Sequence, residues 1–275
     1  MQNITVDQFT VPRQPHALND PLAPRLKPSH KLPAIEEEYI RILSSDEALL
    51  NDTCINDCAA LLYSLYPPPI SRRIAILSTY ELGRIRRNAT DDELWRNTKR
   101  TSFWESSIWI LPIHRPTAKH WVMCTIDLGT RTLRLFDSLA ERHPWERDTR
   151  VGDSLQLFHQ IKFRCHFQDI IQLVSRLSHI ASVKRNGPLV HLGKWTAYPV
   201  TVRIIVGPFD CTCLTRFQLS PVQTNAIDCG LWVLAQIIAV LRGFDATNLA
   251  QRDMPAFREY IRNLVLHSQE RGQWL

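Results

Sequence analysis

The stretch Ser220-Pro221-Val222-Gln223-Thr224-Asn225-Ala226-Ile227-Asp228-Cys229-Gly230-Leu231-Trp232 decides how the rest of the chain is read. A polar, turn-rich approach delivers a cysteine to the first residues of an apolar segment. From Cys229 to Leu241 the chain is apolar nearly all round, with Gln236 the main exception. A helix that is apolar on every side is a buried helix. A cysteine at its start lies in the positive field of the helix N-terminus, which favours a negatively charged sulfur. Alone, Cys229 reads better as a small core hydrophobe in a helix's first turn, so the rest of the chain has to overturn that reading.

Working outward, the totals set the bounds. A chain of 275 residues buries a full core, with one domain and an appendage the natural expectation. The net charge of +6 and the pI near 9.0 fit an acidic protein partner, although such an excess is usually a solvated surface. No N-terminal apolar run resembles a signal peptide, and Leu231–Leu241 is too short to span a bilayer, so no membrane partner is expected. Seven cysteines without framework spacing point to a reducing compartment, nuclear or cytoplasmic. Cys54/Cys58 and Cys211/Cys213 are the close pairs. Neither makes a paired ligand knuckle, so no metal is expected.

Along the chain, residues 1–35 carry Pro12, Pro15, Pro21, Pro24, Pro28 and Pro33 with little periodicity and read as a disordered or extended tail. Residues 36–275 form the domain. Glu36–Ser44 is a short helix or strand. Asp52 caps a helix running to Tyr66, with Ile55, Cys58, Ala59 and Leu62 on its inner face and Pro67-Pro68-Pro69 as its stop. Ser71–Arg100 is basic and suggests one or two surface helices. It lacks the interleaved aromatics of a nucleic-acid surface over Ser71–Asn88, so nucleic acid is not an expected partner. Strands follow at Ser107–Pro112, His120–Asp127 and Thr132–Leu139, then a helical pattern over Val151–Val183 that is clearest after Cys165. A strand at Thr196–Val206 and a last helix at Pro255–His267 complete the pattern.

Hairpin arithmetic supplies Cys229 with company. If the turn is Leu128-Gly129, His120 lies directly across from Asp137. If it is Leu128–Arg131, Asp137 faces Val122, one step diagonal to His120. In either register the two side chains share a face, with Cβ atoms roughly 5 to 8 Å apart. A carboxylate on one ring nitrogen fixes the histidine tautomer and stabilises the imidazolium. With Cys229 the set is Cys–His–Asp, and Gln223, shortly before the cysteine, can offer a side-chain N–H to a developing oxyanion beside the Cys229 backbone N–H. Each residue has a plain alternative: core filler, surface strand histidine, solvated strand end, loop amide. Their joint occurrence is what shifts the balance.

These segments resemble one family. His120-Trp121, Leu135-Phe136-Asp137-Ser138-Leu139 and Pro221–Gly230 are similar to the motifs of the ubiquitin-like-protein-specific proteases, the SUMO and sentrin protease family. Leu50-Asn51-Asp52 resembles the motif that opens that family's first helix. The resemblance covers about residues 40–270 and extends to the divergent fungal members found near transposons. It implies an α+β fold with a papain-like core, in which a central antiparallel or mixed sheet packs against the buried helix that carries the nucleophile. It also implies no cofactor, and cleavage after the Gly-Gly tail of a SUMO-like modifier, free or conjugated, by a monomer. Carried over residue by residue, Cys229 is the nucleophile, His120 the general base and acid, Asp137 the orienter and Gln223 the oxyanion donor. Trp121, Leu49, Asn51, Asp52, Asn225 and Gly230 are the expected substrate-binding residues.

Two departures stand out. Family members clamp the modifier's glycine tail between two tryptophans; Trp121 matches one, while Leu49 stands where the other belongs. The second is the distance between Asp137 and Gln223, which is longer than the family's. Val202–Gln218 reads as a translated retained intron, because its removal joins Thr196–Thr201 to Leu219-Ser220-Pro221 as one strand; the alternative is a genuine surface loop. If present, the segment is expected to disturb the register of Gln223 and Cys229. A catalytically decayed module that holds a modifier without cutting it, and an acyltransferase of the same structural clan, are the competing functions.

Overall fold

A computed structural model describes residues 37–68, 73–139, 166–186, 195–200 and 222–270. The tail 1–35, residues 151–165 of the expected helix, residues 201–206 of the expected strand and the segment 202–218 lie outside the described residues.

Strands β1 (Ile74–Ile76), β2 (Ile108–Arg115), β3 (His120–Asp127), β4 (Thr132–Phe136) and β5 (Thr196–Pro199) form one sheet in that order. The inner pairs β2–β3 and β3–β4 are antiparallel, and the outer pairs β1–β2 and β4–β5 are parallel. Side chains alternate across a strand, and the alternation gives the sheet two buried faces. Ile108, Ile110, Trp121, Met123 and Phe136 meet α1 (Glu37–Leu43), α2 (Asp52–Leu65), α6 (Cys229–Leu241) and α7 (Met254–Glu270). Trp109, Leu111, Val122, Cys124 and Leu133 meet α3 (Glu81–Arg86), α4 (Asp91–Thr98) and α5 (His166–Arg185). The result is an α+β fold, a mixed sheet between two helical layers.

Cys229–Leu241 is a helix over its whole expected length, and every residue in it is buried. Burying a Leu, Ile or Val side chain contributes about 1.5–3 kcal/mol, so the apolar surround fixes this helix firmly. Gln236, its polar exception, is satisfied: Nε2 donates to the Asp245 carbonyl at 2.6 Å and Oε1 accepts from Thr247 N at 3.2 Å.

Three expectations need correction. The cap of α2 is Asn51, not Asp52: Asn51 Oδ1 accepts from Cys54 N at 2.8 Å, and Asp52 is the first helical residue, where its charge suits the helix dipole. The basic stretch after Ser71 contains a strand, β1, besides α3 and α4; three residues are too short for an alternation to show. β2 runs past Pro112 to Arg115. Because β1 pairs only with Ile108–Ile110, Pro112 has an open side on which its missing N–H leaves no ladder bond unmade.

Candidate active site

Two strand ends, one strand start and one helix start meet at a single end of the sheet. β2 finishes at Arg115 and β3 begins at His120, across a turn in which Lys119 takes φ 48°. β4 finishes at Phe136, immediately before Asp137, and α6 begins at Cys229. Of the two hairpin registers, the fold takes the one with Asp127 opposite Thr132 and Met123 opposite Phe136, which sets Asp137 diagonal to His120. Asp127 Oδ1 accepts from Thr130 N at 3.0 Å and Arg131 adopts φ 55°, which together close the longer turn.

The geometry is tight. His120 Nε2 lies 2.8 Å from Asp137 Oδ1, and both side chains are buried. Leu139 N donates to the same oxygen at 3.0 Å, and Arg115 Nη1 donates to Oδ2 at 2.9 Å. Burial favours the neutral form of Asp137. The His120 hydrogen bond, the Arg115 charge and the Leu139 N–H outweigh it and hold the carboxyl below its ordinary value. Burial likewise opposes charge on His120. Hydrogen bonds to Asp137 and Cys229, and the electrostatic influence of both groups, overcome it and raise the imidazole from 6.5 to about 9. With Nε2 committed to Asp137, Nδ1 is the nitrogen left for the Cys229 sulfur. The imidazole can therefore take a proton from the thiol and return it to a leaving group.

Gln223 is buried and held at both ends of its amide. Ser138 Oγ donates to Oε1 at 2.6 Å, and Nε2 donates to the Asn225 carbonyl. Nε2 also donates to Asn225 Oδ1 in a longer contact of 3.4 Å, and the two contacts fix which end of the amide is nitrogen. The Ser138 carbonyl accepts from Val222 N at 2.9 Å and from Gln223 N at 3.0 Å, tying the Gln223 loop to the residue after the acid.

Among the expected substrate-binding residues, Trp121 is buried, stacks on His114 with centroids 4.5 Å apart, and donates Nε1–H to the Leu50 carbonyl at 2.8 Å. Leu49, next in the chain, is 42% exposed. Gly230 packs so closely on Leu50 that a Cβ there would lie 2.9 Å from the leucine Cβ. Asn51 is engaged as the α2 cap and Asp52 sits in the first turn. Asn225 works within its own loop: Oδ1 accepts from Ile227 N and Asp228 N, both at 3.1 Å, and Nδ2 donates to Asp228 Oδ2 at 2.7 Å.

Several residues at the site escaped the sequence reading. Asp228 Oδ2 also accepts from Gln251 Nε2 at 2.7 Å, and its Oδ1 accepts from Arg258 Nη2 at 3.4 Å. Arg258 reaches on to the carbonyls of Ile42 and Ala48, so α7 links the loop before Cys229 to the segment before Leu49. Nothing local in the sequence signals these long-range bonds. Arg115 could have been found: extending β2 past Pro112 pairs it with His120. Among the described residues, no group of three or more His, Cys, Asp or Glu is placed to hold a metal, and no helix is long and apolar enough to cross a membrane.

The arrangement is that of a papain-like α+β core, and comparison with known proteins narrows it. Residues 77–161, which include His120 and Asp137, match the Ulp1 protease family, C-terminal catalytic domain. Sentrin-specific protease 2 of Pongo abelii is 26% identical over 220 residues, 80% of this chain and 30% of that protein. The chain thus spans under a third of the length of this curated relative. The structure of SUMO protease Ulp1 with its catalytic cysteine oxidized to a sulfenic acid superposes with a TM-score of 0.55 at 16% identity, over 85% of this chain and 84% of that one. The C-terminal Ulp1 protease domain in complex with Smt3, the yeast ortholog of SUMO, gives 0.53 at 16% identity, over 86% and 84%. These two likenesses speak to the fold. The family match over residues 77–161 and the fold likeness agree: this part of the chain is similar to the catalytic domain of the Ulp1 proteases, set in a fold like theirs.

Proposed function

We propose that this domain is a cysteine peptidase or isopeptidase that cuts after the C-terminal Gly-Gly of a SUMO-like modifier, in its precursor or its conjugates. The observation that carries the reading is the buried His120–Asp137 pair facing Cys229 at the start of α6. In the proposed reaction the Cys229 sulfur attacks the glycine carbonyl, and its proton resides on His120. Negative charge on the carbonyl oxygen meets the Cys229 backbone N–H at the helix start and the Gln223 Nε2 hydrogen, which gives up its longer contact to Asn225 Oδ1. The intermediate collapses, His120 gives its proton to the departing amine, and the modifier is left as a thioester. Water, deprotonated by His120, attacks the thioester carbonyl and releases the carboxylate and Cys229. Asp137 keeps the imidazole oriented throughout.

The modifier's tail is taken to run beside Trp121 and Leu49, over the floor made by Leu50 and Gly230. The relatives support the substrate class: one is a sentrin-specific protease, and another was solved with Smt3 bound. The four free cysteines among the described residues accord with work in a reducing compartment, the nucleus or cytoplasm. The test is covalent capture. Ubiquitin-like modifiers bearing a C-terminal electrophile are incubated with the protein and with Cys229→Ala. At least one modifier is expected to form an adduct that the variant does not form. Binding without an adduct would replace the peptidase with a binding module, and acylation of Cys229 by an acyl-CoA would point to a transferase.

A further inference from the structure

A buried guanidinium beside the acid is not used by this mechanism. Arg115 is the last residue of β2, paired directly with His120, and is only 5% exposed. A buried ion pair is poor evidence of a stabilising purpose, because an apolar pair of similar volume is often as stable or more so. Its place suggests another purpose. Asp137 stands just past the end of β4, where the β3–β4 pairing has stopped. The terminal torsion of an aspartate is broad and weakly self-determined. One donor on each oxygen defines the carboxylate plane. His120 and Leu139 act at Oδ1, and Arg115 acts at Oδ2.

We infer that Arg115 is a positioning residue: it holds the Asp137 carboxylate turned so that Oδ1 meets His120 Nε2. This rests on the peptidase reading, in which that contact orients the base. Among the described residues, the titratable and charged groups around His120 are Arg115 from β2, Asp137 after β4 and Cys229 from α6; Asp228, next to the cysteine, is paired with Arg258 of α7.

The test uses the full chain with Arg115→Met, which keeps bulk and removes the donor. The His120 imidazole is titrated by NMR without substrate, and kcat and KM are measured on a fluorogenic derivative of the captured modifier. The imidazole is expected to titrate below its value of about 9 as its hold by Asp137 loosens. The kcat is expected to fall by about 100-fold, the scale of a small misplacement of a reacting group, with KM changed less than about threefold. Arg115→Lys, which keeps a charged donor, is expected to recover part of both effects. An unchanged titration and kcat would overturn the inference. A raised titration would also overturn it, since Arg115 would then act only as a counter-charge to the imidazolium.

If Arg115→Met fails to fold, the neutral pair Arg115→Met/Asp137→Asn decides. Its kcat is expected to match that of Asp137→Asn within about threefold, because Arg115 acts through a carboxylate that is no longer there. A further loss beyond about tenfold would overturn the inference. Failure of the unaltered protein to cleave any modifier would count against the peptidase reading alone, because the NMR titration reports on Arg115 and Asp137 without substrate.

Discussion

Replacing Ser138 by alanine tests the fixed orientation of the Gln223 amide. Ser138 is fully buried and its Oγ donates to Gln223 Oε1 at 2.6 Å. Its carbonyl, which holds Val222 N and Gln223 N, survives the substitution, so the loop stays clamped. The loss leaves Oε1 buried without that donor, a cost of about 1–3 kcal/mol in stability. The effect on catalysis is smaller than removal of the amide itself. The Asn225 carbonyl still favours Nε2 on its side, since a flipped amide would set two carbonyl oxygens against each other. The remaining bias lacks one hydrogen bond, about 1–2 kcal/mol, which corresponds to a fall in kcat of about 5- to 30-fold with KM little changed. Gln223→Ala, which deletes the proposed oxyanion donor outright, is expected to cost about 100- to 1,000-fold. Hydrolysis of the fluorogenic modifier gives kcat and KM, and urea unfolding gives the stability. A Ser138→Ala enzyme with kcat within about twofold of the parent would refute the orienting role, even if its unfolding midpoint fell. A loss as large as that of Gln223→Ala would refute the idea that Asn225 retains part of the orientation.

Three further outcomes follow from the same geometry. The His120 imidazole, raised to about 9, carries its proton at neutral pH, and activity that needs the imidazolium is expected to decline as pH rises through about 9. Asp137→Asn removes the largest raising influence, so this basic limb is expected to move down toward 6.5, and a limb that stays near 9 in the variant would show that Asp137 does not set it. Gly230→Ala places a Cβ 2.9 Å from the Leu50 Cβ, and overpacking of this kind costs about 1–3 kcal/mol. Because Leu50 also holds the Trp121 indole through its carbonyl, KM is expected to rise together with the loss of stability; unaltered unfolding would refute the close approach.

What could be read in advance was what local pattern controls. The thirteen apolar-lined residues of α6 are periodic by excess, since every face is buried, and a cysteine at the first helical position needs no tertiary knowledge to place. The hairpin arithmetic worked because antiparallel pairing is linear, so only the turn had to be chosen; Asp127 and Arg131 chose it. The residues that fix the site were not visible for the opposite reason. Arg258 reaches carbonyls far away in the sequence, and Ser138 meets Gln223 only after the chain has left the sheet and returned. Asn51 and Asp52 are both good capping residues, and which one caps depends on where the preceding chain enters, which Trp121 decides by holding Leu50.

The bond between Ser138 and the Gln223 loop also bears on the length of chain between Asp137 and Cys229. An insertion disturbs a site when it lies inside the elements that position it. Here the excursion departs after Ser138 and returns at Val222, and the Ser138 carbonyl binds the N–H of both Val222 and Gln223. β5 gives a second fixed point on the way, paired with β4 and extended by Val200 N on the Leu135 carbonyl. With Val202–Gln218 present in the chain, Gln223 still meets Ser138 and Cys229 still meets His120. The expected disturbance of register is therefore absent, and the physical reason is that both ends of the connection are pinned. Closure entropy grows only as the logarithm of length, about 0.6 kcal/mol per doubling. Lengthening the connection between β5 and Val222 thus costs on the order of 1–2 kcal/mol, which the buried surround of α6 can absorb without moving Cys229.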